Sequence, residues 1–154
     1  MISVIKEDIK DKDYRLLIEV AAQKCNRFAF VKNRQLMADE KLAMANFYKL
    51  VEDIQDSFIS MKEQSEWETT ILLESTAYVF YYELNEKTKE FLQTKSNSLF
   101  GWISPYLPED LMLYKDDQVW VVSCSHENWF SCDLDVEINN NTEFINWLKK
   151  EYKS

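Results

Sequence analysis

The spacing of apolar positions switches between helical and strand-like periods along this chain, and each switch marks an element. Tyr14, Leu17, Ile18, Ala21, Ala22 and Cys25 recur at the three- and four-residue steps of an amphipathic helix. Asp13 is placed to cap that helix, and Cys25 belongs to its core face. Residues 27–32 then read as a strand, short and aromatic with a β-branched valine. From about Asp39 the helical period returns. Phe47, Leu50, Val51, Ile54, Phe58 and Met61 continue one stripe, which predicts the longest helix. Residues 67–72 and 76–84 predict a hairpin whose second strand, apolar on both faces, is central.

Asn85 is placed to cap a helix running to about Lys95, and residues 96–98 make a polar break. Pro105 and Pro108 punctuate the stretch between that break and the next apolar run. Pro108-Glu109-Asp110 reads as the start of a helical turn, where Pro is tolerated and acids suit the dipole. Neighbouring carboxylates on such a turn point apart, so no catalytic pair is expected there. Residues 111–114 and 119–124 predict a second hairpin, residues 131–138 a third strand, and residues from Asn141 or Thr142 a final helix. Strands joined by short turns predict an α+β fold. It consists mainly of an antiparallel sheet of about five to six strands, covered on one side by three to four helices. No linker or repeat divides the 154 residues, so a single domain is expected.

Composition narrows the chemistry. Gly101 is the one glycine in the chain, which removes phosphate cradles and dinucleotide fingerprints, since both need several. The formal charge of -9 opposes nucleic acid and anionic membrane surfaces alike and favours a basic protein partner. Cys25, Cys124 and Cys132 are too sparse for a disulfide framework and read as reduced thiols. The charged first residues hold no apolar leader, and no uncharged apolar run approaches about 18 residues. The expected compartment is the cytoplasm, with no cofactor and no metal.

The chemically suggestive cluster is Ser123-Cys124-Ser125-His126-Glu127, which contains the one histidine of the chain. On a strand beginning at Val119, the side chains of Trp120, Val122, Cys124 and His126 share a face. That pattern fits a core strand ending in a hydrogen-bonded histidine. It also fits a Cys124–His126 nucleophile and base with Glu127 orienting the ring, a small-enzyme alternative that lacks an oxyanion hole by motif. Zinc on Cys124, His126 and Cys132 would need a distant fourth ligand and lacks the paired cysteine spacing. Asp133, Asp135 and Glu137 alternate with apolar residues, so their carboxylates line one strand face in steps of about 7 Å. They suit either a solvated face or the Lys and Arg side chains of a partner. Trp102 and Tyr106 near the prolines, and Trp129 beside Asn128, sit in expected loops and are candidate partner-binding aromatics.

Leu107-Pro108-Glu109-Asp110-Leu111, followed by Tyr114, Trp120 and Ser125-His126-Glu127, resembles a family of small bacterial proteins, some of them immunity-like. The resemblance spans roughly a third of the chain, and each piece alone is nonspecific. It implies a cytoplasmic α+β protein that acts by binding, neutralising a toxin or an enzyme, and it carries over no catalytic residue.

Overall fold

A computed structural model describes residues 2–133 of the chain. Its scaffold is one antiparallel sheet assembled from strands whose alternate side chains enter clusters on its two faces. The strands are β1 (Ile2–Ile5), β2 (Arg27–Asn33), β3 (Phe58–Gln64), β6 (Ala77–Glu83), β7 (Glu109–Lys115), β8 (Gln118–Cys124) and β9 (Trp129–Asp133). They lie in the order β1-β9-β8-β7-β2-β6-β3, which places β3 at one edge. Two short strands, β4 (Glu66–Trp67) and β5 (Thr70–Ile71), form a separate hairpin. The helices are α1 (Asp11–Lys24), α2 (Glu40–Leu50) and α3 (Glu86–Lys95).

Alternation along β2 sorts the two faces. Phe28 and Phe30 enter the main core with Tyr14 and Leu17 of α1, Phe47 of α2 and Phe91 and Leu92 of α3. Ala29 and Val31 join a smaller cluster on the other face with Val79, Met112 and Val122, against which Trp67 and Leu72 pack. The α+β architecture and its antiparallel sheet thus stand, with seven strands in the main sheet rather than five or six. β1 and β3 raise the count.

Several boundaries move for identifiable reasons. α2 stops at Leu50, and residues Glu52–Ser57 wind as a 3₁₀ turn before the chain straightens at Phe58. Val51, Ile54 and Ser57 are all buried. The three-residue period of the 3₁₀ turn therefore imitates a continued helical stripe. Residues 67–72 do not pair with β6 but fold back on themselves as β4 and β5, while β6 lies between β2 and β3. Pro108 introduces strand β7, not a helical turn. α1 begins after Lys10, which makes no side-chain cap, and Asp13 sits in its first turn. The expectation for α3 holds to the residue: Asn85 accepts from the Thr88 amide at 3.0 Å, and the Thr88 hydroxyl accepts from the Asn85 amide at 2.8 Å. The expected final helix lies outside the described residues.

Gly101 sits in a tight space. A Cβ there would collide with Ser96 Oγ and meet Ser98 Oγ at 2.9 Å. Left-handed backbone falls instead on Asp11, Glu74, Asp110, Asp116 and Asn128.

Candidate functional site

The start of β7 holds a buried pair of acids. Val31 of β2 pairs with Glu109 and Ala29 with Met112, so two residues of β7 bulge opposite Phe30. Asp110, at φ 56°, is in that bulge. One of its oxygens accepts from the Ser125 amide at 2.9 Å, and the other from Trp67 Nε1 at 3.1 Å and Thr69 Oγ1 at 3.4 Å. Burial raises the Asp110 carboxyl above its usual range, against the pull of those donors. Asp110 therefore pins the β4–β5 hairpin and the turn after β8 to the sheet.

Glu109 is equally buried. Its Oε2 lies 3.3 Å from His126 Nε2, an ion pair whenever the ring is protonated, while Oε1 has no hydrogen-bond partner among the described residues. Burial raises this carboxyl too, opposed by Ser104 and His126. The expectation that these neighbours would point apart without a role is half right. They diverge in what they bind, but both are buried and both face His126 electrostatically. The missing signal was the bulge, which requires the tertiary pairing with β2.

The Cys124–His126 arrangement does not assemble as a nucleophile and base. β8 ends at Cys124, and His126 lies in a 3₁₀ turn, Ser125–Glu127, so strand alternation no longer relates them. A bulge opposite Leu113 and Tyr114 also moves Trp120 to the helix-side core, whereas Val122 stays on the opposite face. No hydrogen bond joins the Cys124 thiol to the ring among the described residues. The thiol is buried, and burial first, then the Asp110 charge, pushes it up to about 11. A thiolate is disfavoured there. Glu127 does not orient His126, because its carboxylate accepts from Trp129 Nε1 at 3.2 Å. Glu109 is the carboxylate beside the ring. Cys25 and Cys132 are buried as well, and burial pushes both up to about 12. Among the described residues no three His, Cys, Asp or Glu side chains converge as a metal would require.

The partner-binding candidates separate. Trp102 is 0 % exposed, stacks on Phe30 at 5.6 Å, and donates to Tyr14 Oη at 2.8 Å, which in turn donates to the Leu92 carbonyl at 2.6 Å. It locks the helices to the sheet and is withdrawn from any surface role. Tyr106 is 90 % exposed, as expected of a loop aromatic. Trp129 opens β9 and is half-buried, and Asp133 closes that strand. Asp135 and Glu137 lie outside the described residues.

A different acidic surface emerges at the opposite edge of the sheet. Residues 52–74 carry seven carboxylates and a single lysine, Lys62. Within this segment β3 exposes Phe58, Ile59 and Met61, and the hairpin side exposes Ile71 and Leu73. The inner side of β3 is held to β6, while Glu63 accepts from Thr76 at 2.7 Å and from Arg34 at 3.1 Å. Arg34 also reaches Glu40 at 2.7 Å, which ties the start of α2 to the same corner. The edge is thus a braced strand with partly exposed apolar side chains, one of which, Phe58, also packs its ring on Tyr82 at 5.7 Å. Sequence reasoning missed it because Phe58 and Met61 passed for the end of the long helix and residues 67–72 for the partner of residues 76–84.

Among the described residues no helix is long and apolar enough to cross a membrane. Comparison of the chain with protein-family models, with curated proteins and with solved structures finds no match.

Proposed function

We propose that this chain is a noncatalytic protein-binding domain whose partner is a basic protein, docking as an added strand along β3. The observation that carries the reading is the edge itself. Phe58, Ile59 and Met61 stand partly exposed on a strand that pairs on one side only among the described residues, where main-chain groups supply affinity and side chains supply specificity. The segment that contains β3 carries seven carboxylates against one lysine, a balance that steers a cationic surface toward it and repels anionic ones. Neutralisation of a toxin, or regulation of an enzyme, in the cytoplasm fits this mode of action. The three free thiols suit a reducing compartment.

The reading is tested by using the chain as bait in lysate of its source cells at low and moderate salt, beside an Ile59→Lys/Met61→Lys variant. Any captured basic protein is then titrated against both. The expected result is salt-sensitive binding to the unmodified chain, weakened at least tenfold by the variant. Equal affinity for both chains would remove β3 as the site, and the absence of any basic partner would overturn the proposal.

A further inference from the structure

A cavity of about 320 Å³ opens between α2 and the loop that carries the cis Ser104–Pro105 peptide. Its size is at the lower end for small-molecule sites. The wall is largely apolar, with Leu42, Phe47, Leu50 and Leu107 among its lining residues, and the first turn of α2 contributes to it. One feature of this wall is out of keeping with the rest. Lys32, on the helix-facing side of β2, lines the cavity and is only 5 % exposed.

Lys32 makes no hydrogen bond or ion pair among the described residues. Glu109 is near enough to support its charge; one oxygen of that carboxylate meets His126, and the other has no hydrogen-bond partner among the described residues. Lys32 Nζ is not among the fully enclosed polar atoms that lack a partner, so it keeps contact with the open space of the cavity, where a bound group can supply the acceptors its three donors lack in the protein. The other polar group that borders the cavity with a charge, Asp39, is committed to capping α2 through the Leu42 amide at 3.1 Å. We propose that this cavity binds a small apolar monocarboxylate, with its head on Lys32 Nζ and its tail between Phe47, Leu50 and Leu107. A single cation in an apolar wall matches one anionic head and one hydrocarbon body. A phosphate or dicarboxylate would want a second cation, which the lining does not supply. A neutral ligand would leave the ammonium unanswered.

Octanoate is the probe, with octanol as the control of equal chain length, each titrated calorimetrically. The unmodified chain is expected to bind octanoate at least tenfold more tightly than octanol. In Lys32→Met that preference disappears, and in Ala43→Leu, which narrows the cavity, both ligands are lost. On the unmodified chain, octanoate is also expected to slow reductive methylation of Lys32 at least tenfold, read by peptide mass, whereas octanol does not. That readout holds even if Lys32→Met fails to fold. Equal affinity for the two probes, or no protection of Lys32, would overturn the inference. The β3 variant Ile59→Lys/Met61→Lys is expected to keep octanoate binding, so the cavity and the docking edge are judged separately.

Discussion

Trp67 Nε1 donates to Asp110 Oδ2 at 3.1 Å across 43 positions of sequence, and this bond fastens the acidic hairpin to the strand at the centre of the sheet. Asp110→Ala would remove acceptors for Trp67, Thr69 and the Ser125 amide while leaving a side chain at positive φ. The expected loss of stability is about 3 kcal/mol, given the usual contribution of hydrogen bonds to a charged acceptor. Asp110→Gly would lose the same bonds but relieve the left-handed strain, so it should fall about 1 kcal/mol less. Urea unfolding of the two variants checks the order, and faster amide exchange over residues 65–72 should accompany both.

Charge on the β4–β5 hairpin, in the same acidic segment as β3, should act on association more than on dissociation. Glu66 and Glu68 are exposed and enter no described hydrogen bond through their carboxylates, so Glu66→Lys/Glu68→Lys should leave stability within about 0.5 kcal/mol. The variant should associate with a basic partner roughly tenfold more slowly and with a shallower salt dependence. Stopped-flow traces across a salt series separate the two rates, and an unchanged association rate would place the partner elsewhere.

The Glu109 carboxyl is raised above its ordinary range by burial, so the folded chain holds that proton more tightly than the unfolded chain does. Its share of stability is complete below about pH 4.3, the ordinary value for an unfolded glutamate, and is lost as pH rises through the raised folded value. Glu109→Gln mimics the protonated form at every pH. It should therefore lose less stability than the unmodified chain between pH 4.5 and pH 7.5. Urea midpoints at the two pH values supply the comparison.

All three thiols should behave as buried side chains. With Cys124 held at about 11 and Cys25 and Cys132 at about 12, iodoacetamide at pH 7.5 should label the folded chain far more slowly than the urea-unfolded chain. Rapid labelling confined to Cys124 would revive the nucleophile reading.

Local signals carried much of the fold. The cap at Asn85 marked α3, and the short aromatic run with its valine at residues 27–32 marked β2, because both signals depend on neighbours in sequence. The stripe from Phe47 to Met61 misled because a 3₁₀ turn buries residues at nearly the helical spacing, and only pairing with β6 draws Phe58 into a strand. The site was less legible. Glu109 reaches His126 from 17 residues away, and Asp110 is buried through a bulge that no local pattern announces. Trp102 looked like a surface anchor because its neighbours are loop residues, yet the indole fills the space between Phe30, Phe91 and Tyr14.

The left-handed residues among those described give this chain an uncommon response to mutation. Glycine normally weakens a fold by enlarging the freedom of the unfolded chain, but where an L side chain is already forced to positive φ the balance reverses. Glu74, at φ 58° with an exposed side chain, is the clearest case, and Glu74→Gly should raise the thermal midpoint by a degree or more. A sequence nearly devoid of glycine thus keeps an unused reserve of stability in its tight turns, open to the residue type it avoids.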